Sequence, residues 1–258
     1  MDTCPDKLIA FAASLADAAR PISMQYFRTP VEAEVKDDAS PVSIADKQAE
    51  ARIRELIEAE YPDHGIYGEE YGTVRLDSDY IWVLDPIDGT KSFLTGKPLF
   101  GTLIGLMYKG SAVLGVTDMP ALDERWIGAK GHATTFNGAP VSTRACDDLG
   151  KAWMLVTSPD MFLEGNKPIF ERLKAQVQFT RWGTDCMGYG LLANGYADVV
   201  CEANMSPYDY AALIAVVEGA GGAITDWDGN ELTLDSDGTV VAVGDKRMLE
   251  PALKALQR

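Results

Sequence analysis

Histidine is almost absent from this chain: His64 and His132 are the two in 258 residues. That scarcity makes a histidine-rich zinc centre or a Ser-His-Asp hydrolase site hard to assemble, so any chemistry must rest mostly on carboxylates. Both histidines stand among turn-forming neighbours, Tyr61-Pro62-Asp63-His64-Gly65 and Lys130-Gly131-His132, and read as loop residues rather than ligands. The four cysteines, Cys4, Cys146, Cys186 and Cys201, have no Cys-x-x-Cys spacing. The opening Met-Asp-Thr-Cys-Pro-Asp lacks a basic stretch followed by an apolar one, and a reduced, cytoplasmic setting is expected. Basic residues are in deficit, 23 Lys and Arg against 39 Asp and Glu, for a formal charge of -16. With no dense basic run, nucleic acid and anionic lipid are disfavoured partners. No apolar stretch approaches the roughly 18 residues of a membrane span. Internal repeats and low-complexity tracts are missing as well. What remains is a 47% hydrophobic chain able to bury a sizeable core as one large domain or two small ones.

The most informative stretch runs from Tyr80 to Thr90. Tyr80-Ile81-Trp82-Val83-Leu84 is a β-branched and aromatic run that reads as a buried strand ending at Asp85. Asp85 and Asp88 then stand three residues apart. Pro86 fixes one φ and Gly89 opens a conformation closed to other residues, so the turn that carries the charges is stiff. Thr90 reads as the N-cap of a following helix. Two acids converging at a strand end repel unless a cation lies between them, and all-oxygen ligands suit magnesium, calcium or manganese. Amides at a helix start favour an anion beside that cation. The pattern suggests a metal-dependent phosphate site, although the same residues also fit an ordinary solvated Asp-Pro, Asp-Gly turn.

Along the chain, Leu8, Ala12, Leu15 and Ala19 lie at helical spacing between about Lys7 and Phe27, with Pro21 expected to kink or restart the helix. Residues 31 to 46 alternate apolar and acidic positions, then form a polar turn before a second helix on Ala45, Ala49, Ile53 and Leu56 that should stop before Pro62. Ile66-Tyr67 reads as a short strand delivering Gly68-Glu69-Glu70 to its end, beside Asp85. From Phe100 to Val141, strand-length runs broken by Lys109-Gly110, Asp123-Glu124 and Asn137-Gly138 predict an antiparallel meander. From Trp153 onward strands and helices alternate. In Ser206-Pro207-Tyr208-Asp209 the serine is placed as N-cap, the proline at the first helical position and Asp209 in the first turn, a capping arrangement that needs no metal. The change of pattern divides the chain into an α+β subdomain over 1–147 with the acidic motifs and an α/β subdomain over 148–258 with the last acid, the two sharing a tight interface.

Gly68-Glu69-Glu70, Asp85-Pro86-Ile87-Asp88-Gly89-Thr90, and Tyr208-Asp209-Tyr210-Ala211-Ala212 followed by Gly219-Ala220-Gly221-Gly222 resemble, in order and spacing, the signatures of the inositol monophosphatase family. Lys36 and the Ser40-Pro41-Val42 to Asp46 turn match its N-terminal motif. The resemblance covers about residues 7 to 245. It implies a layered α-β-α-β-α sandwich, a meander sheet in the first half and a mixed sheet in the second, often in a homodimer. It implies two or three Mg2+ ions, with Mn2+ as an alternative, held by Glu69, Asp85, the carbonyl of Ile87, Asp88 and Asp209. It also implies that Thr90 and Asp46 orient and deprotonate the attacking water while Glu69 bridges metals, and that Asp88, Gly89 and Thr90 offer the phosphate their amides. No histidine is required, because divalent ions acidify water and neutralise phosphate oxygens.

The family includes inositol, fructose bisphosphate, adenosine bisphosphate and histidinol-phosphate phosphatases, and the shared motifs do not separate them. The segment Thr180 to Gly190, with Asp185 after Gly183-Thr184, and the stretch Lys91 to Gly96 resemble the histidinol-phosphate branch. If Asp185 at a helix start and Glu202 at a strand end both face the organic group, the pocket suits a cation, and charge-assisted bonds are roughly twice as strong as neutral ones. Arg181 and Trp182 either line the pocket or brace the subdomain interface. The expected activity is magnesium-dependent hydrolysis of L-histidinol phosphate, a small-molecule phosphate monoester, as in histidine biosynthesis. The alternatives are an inositol-1-phosphate or broad-specificity phosphatase, a helix-capping role for Asp185, and a non-catalytic regulatory protein on the same fold, which the intact acid set and Thr90 argue against.

Overall fold

A computed structural model describes residues 1–30, 34–35, 41–163 and 165–257. Lys36 and Ser40 of the N-terminal motif lie outside the described residues. The chain opens with helix α1 (Asp6–Tyr26), the short pair β1 (Glu34–Val35) and β2 (Pro41–Val42), and helix α2 (Ile44–Glu60). Then come β3 (Gly65–Gly68), β4 (Gly72–Val74), β5 (Tyr80–Asp88), α3 (Thr90–Leu94), β6 (Gly101–Tyr108), β7 (Ser111–Met119), β8 (Glu124–Ala129), β9 (Thr135–Phe136) and β10 (Ala139–Pro140). The second half holds β11 (Trp153–Val156), α4 (Lys167–Lys174), β12 (Phe179–Trp182), α5 (Met187–Ala193), β13 (Val199–Glu202), α6 (Pro207–Gly219), β14 (Ala223–Thr225), β15 (Val240–Val243) and α7 (Leu249–Leu256).

These elements stack in five layers. An eight-stranded sheet of order β10-β9-β8-β7-β6-β5-β3-β4 carries α1 and α2 on one face. A five-stranded sheet of order β12-β11-β13-β15-β14 carries α4 and α7 on its outer side, and α5 and α6 fill the space between the sheets. The apolar run of β5 is continuous because both its faces are covered. Trp82 and Leu84 pack toward α1 and α2, while Ile81 and Val83 pack toward Ala211 of α6. The alternation carries Asp85 to the α6 face. From Tyr210 to Val217 every residue of α6 is buried, as expected of a helix clamped between two sheets.

A line of glycines lets α6 lie flush on the large sheet. Gly105, Gly115 and Gly128 are register partners across β6, β7 and β8. A Cβ on Gly115 would stand 1.8 Å from the Ala212 carbonyl oxygen, and one on Gly128 would stand 2.2 Å from that of Ala215. Only a residue with no side chain admits helix backbone at that distance. The N-terminus of α6, and Asp209 with it, is thereby held over the end of β5.

Several sequence expectations are revised. Pro21 does not restart α1, which runs unbroken from Asp6 to Tyr26 with Pro21 on its exposed face. Strand β5 does not stop at Asp85 but continues to Asp88 through a bulge, three residues of β5 advancing while β6 moves from Leu103 to Gly101. Pro86 is accommodated there because a bulge frees the backbone from the regular ladder. Gly89, at φ 79° and ψ 39°, is the N-cap of α3 and Thr90 its first residue, not the cap. Strand β4, pairing with β3 beyond the Gly72 turn, has too little apolar patterning to be predicted. No described helix is long and apolar enough to cross a membrane.

Candidate metal-phosphate site

The bulge at the end of β5 turns Asp85 and Asp88 toward one point, and α6 brings Asp209 to it. Carboxylate oxygens of these three residues lie within 4.8 Å of one another. Asp85 is 2% exposed, with one oxygen taking the Ile87 amide at 3.0 Å. Asp88 is partly buried and accepts the Cys186 amide at 2.7 Å. Asp209 reaches back to the Ser206 amide at 2.7 Å, so the capping arrangement read from the sequence is present together with the acid cluster. Glu69 enters from the neighbouring strand β3, parallel to β5: its amide donates to the Leu84 carbonyl at 3.1 Å, and its carboxyl meets that of Asp85.

Asp46 approaches from the first turn of α2. One of its oxygens accepts from the Ser43 amide at 2.9 Å and the Ser43 hydroxyl at 2.5 Å, while Oδ1 is buried with no hydrogen-bond partner among the described residues. Burial, with Glu69 nearby, raises its pKa against the lowering effect of the Ser43 bonds. Asp85 is held well above the usual carboxylate range, first by burial and then by Glu69, Asp88 and Asp209. Asp88 is raised by burial, then by Asp185 and Asp209, and eased by the Cys186 amide. Mutually repelling acids around a point, with an orphaned buried carboxylate oxygen beside them, form the environment a hard divalent cation relieves. The residues present therefore fit a magnesium- or manganese-type ion. The Thr90 hydroxyl donates to the Ile87 carbonyl at 3.2 Å and is not bonded directly to Asp46.

Next to the acids is a cavity of about 160 Å3 whose wall includes Asp88, Asp209, Asp185, Glu202, Tyr189 and Thr157. Asp185 is not in the first turn of α5. It stands two residues before Met187 in a left-handed conformation, φ 45°, and one of its oxygens accepts the Ser92 hydroxyl at 2.8 Å. Gly89 abuts it: a Cβ there would lie 3.0 Å from the Asp185 carboxyl carbon and 2.9 Å from the Leu99 carbonyl oxygen. Glu202, 2% exposed, accepts three hydrogen bonds from protein donors. Its Oε1 takes the Thr157 amide at 3.0 Å and hydroxyl at 2.5 Å, and its Oε2 takes the Tyr189 hydroxyl at 2.9 Å. Burial raises its pKa to about 7 against the lowering effect of these bonds.

Arg181 is exposed on edge strand β12 and outside this cavity wall; Trp182 beside it packs on Phe170 instead. His64 is stacked between Tyr61 and Tyr80 and accepts from the Trp82 indole, and His132 meets the Cys4 carbonyl, so neither is near the acids. Sequence reasoning missed Thr157, Tyr189 and the roles of Ser92 and the Cys186 amide. Each acts through a bond between segments distant in the chain, which no local pattern reports. Larger surface grooves of about 390 and 440 Å3 lie elsewhere, around Lys130 and Glu218 and around Arg20 and Arg125, and hold none of the cluster.

The chain matches the model of the inositol monophosphatase family over residues 5–258. It is 45% identical over 265 residues to the bifunctional phosphatase IMPL2, chloroplastic, of Arabidopsis thaliana, covering 99% of this chain and 77% of that protein. It is 36% identical over 237 residues to a histidinol-phosphatase of Chlorobaculum parvum, with 91% of each covered. An inositol monophosphatase structure from Zymomonas mobilis superposes with a TM-score of 0.91 at 42% identity over 98% of both chains. With its five layers, its acid cluster and these matches, the chain belongs to the inositol monophosphatase family of metal-dependent phosphatases.

Proposed function

We propose that the protein is a magnesium-dependent phosphomonoesterase that hydrolyses L-histidinol phosphate to L-histidinol and phosphate. Glu69, Asp85, Asp88, Asp209 and the carbonyl of Ile87 would hold the metal, which when bound neutralises the phosphate oxygens and acidifies water. The amides of Asp88, Gly89 and Thr90 bind the phosphate group. Asp46 Oδ1, buried and without a partner among the described residues, is the acceptor for the proton of the attacking water, and the Thr90 hydroxyl orients that water. Asp185 and Glu202, in the cavity wall, would face the organic group.

The observation that carries the substrate reading is Asp185, an anion at the cavity wall beside Asp88, fixed by Ser92 and set against Gly89. An ammonium or imidazolium satisfies it, where a sugar hydroxyl offers only a neutral bond. A charge-assisted bond contributes about 1.5–3 kcal/mol, or roughly ten- to a hundredfold in discrimination. Relatives named histidinol-phosphatase support the same reading. A second reading, hydrolysis of inositol 1-phosphate or of several sugar phosphates, is favoured by Glu202. With its pKa raised to about 7 it is partly protonated near neutrality and can donate to a hydroxyl. The deciding experiment compares kcat/KM for L-histidinol phosphate and myo-inositol 1-phosphate in one preparation with magnesium. A preference of tenfold or more for histidinol phosphate supports the proposal; parity or the reverse preference transfers the assignment to the second reading.

A further inference from the structure

We infer that Glu50 is a positioning residue for the acid cluster: its buried carboxylate holds the turn that presents Glu69. The inference rests on the proposed role of Glu69 in holding the cation. Glu50 lies one helical turn beyond Asp46 on α2 and its side chain is fully buried. Its Oε2 accepts the Glu70 amide at 2.7 Å, and its Oε1 accepts the Tyr71 amide at 3.1 Å and the Arg54 guanidinium at 2.7 Å. Arg54 also donates to the Gly72 carbonyl, closing the far side of the turn.

Glu69 is thus pinned on both flanks. Its own amide is tied to Leu84 of β5, and the following peptide is tied to Glu50. With both adjoining peptide planes set, the direction in which the Glu69 side chain leaves the backbone is set too. Gly68 belongs to the same device: a Cβ there would stand 2.1 Å from Glu50 Oε1 and 2.6 Å from the Arg54 guanidinium. The glycine of the Gly68-Glu69-Glu70 motif is therefore required by the approach of the Glu50 carboxylate to the strand end. One helix delivers Asp46 directly and Glu69 through Glu50, so the two acids share a common support.

The test uses Glu50→Gln in the full chain. Glutamine fits the space but has one acceptor oxygen where glutamate has two, so one of the two turn amides faces an NH2 group and the turn shifts. Residues that orient metal ligands typically alter metal affinity or activity by 10–100-fold. Expected for Glu50→Gln is a half-activating magnesium concentration raised about tenfold. The magnesium-induced rise in Tm should shrink at fixed concentration, with KM for substrate unchanged at saturating metal. Arg54→Gln relaxes the same carboxylate from a partly exposed position and is expected to move both readouts the same way by less, which keeps the test usable if Glu50→Gln folds poorly. If the variants lower the metal-free Tm while half-activating magnesium and the magnesium-induced Tm rise match the unaltered chain, Glu50 is only structural and the inference is overturned. If the unaltered chain itself shows no magnesium-dependent activity and no magnesium-induced Tm rise, the metal reading fails first and takes this inference with it.

Discussion

Replacing Asp88 with asparagine should stabilise the protein without metal while destroying its activity. The acids of the cluster are held together by β5 and α6 rather than by attraction, with carboxylate oxygens of Asp85, Asp88 and Asp209 within 4.8 Å of one another. At an effective dielectric near 20, two unit charges at that separation repel by about 3.5 kcal/mol, and Asp88 faces two such neighbours. Protonation of one member limits the realised repulsion, because raising a carboxyl pKa by one unit costs only about 1.4 kcal/mol. Asparagine removes the charge, keeps nearly the same volume and retains an oxygen for the Cys186 amide. The net gain should be about 2–3 kcal/mol, which for a chain of this length is roughly 4–12 °C in Tm. Magnesium should reverse the order. The unaltered protein gains about 4.1 kcal/mol at a thousandfold excess over Kd, more than the variant's metal-free advantage, whereas the variant, short of a ligand, gains much less. Differential scanning calorimetry with chelator and with magnesium, beside a phosphate-release assay, reads all three quantities. A lower Tm for Asp88→Asn in chelator, with the fold retained, would refute the idea that the site is an electrostatically strained cradle.

The same physics sets a pH dependence. Asp46, Asp85 and Asp88 are raised above their ordinary 3.8, and Glu202 from 4.5 to about 7, so the folded chain holds more protons than the unfolded one. Their contribution to stability is complete below the unfolded values and is lost as pH rises through the folded ones, so metal-free Tm should fall from about pH 4 through pH 7; a flat or rising profile would contradict the raised values. Asp185→Ala should lower kcat/KM for histidinol phosphate by roughly ten- to a hundredfold while changing inositol 1-phosphate little, and equal losses would remove cation recognition. Gly115→Ala should cost at least about 3 kcal/mol, because its Cβ meets helix backbone that cannot rotate away, measurable as a lower denaturant midpoint or loss of soluble protein. A near-neutral Gly115→Ala would mean that α6 has slack against the sheet.

What could be read from the sequence was what local pattern and a six-residue string carry. The run before Asp85, the meander with its Asn137-Gly138 turn and the Ser206-Pro207 helix start all rest on neighbouring residues, and each is present in the fold. The bulge was not legible, because whether a strand survives Pro86 is decided by β6, sixteen residues on, where the Thr102 hydroxyl donates to the Pro86 carbonyl at 2.9 Å. Asp185 was named for its place after Gly183-Thr184, but its left-handed backbone and its bond to Ser92 depend on a segment 93 residues away. Glu202 reads in the sequence only as an acid at a strand end, and its bonds to Thr157 and Tyr189 come from the residue after β11 and from α5 packing around the end of β13. Glu50 carries no sequence signal beyond being an acid on a helix; its burial at the motif turn is what singles it out.

The glycine line beneath α6 divides the site into a part that cannot drift and a part that can. With helix backbone resting directly on strands, no layer of side chains is available to absorb a change in volume, and any sliding of α6 drives a carbonyl into the sheet. The acids at the head of that helix and at the end of β5 are therefore carried on backbone that has no room to shift. Asp185, Tyr189 and Glu202 hang instead from α5, β13 and the loops between them, where one side chain can be exchanged without moving the helix. A lineage can therefore revise which alcohol it releases from phosphate while inheriting its hydrolytic centre unaltered.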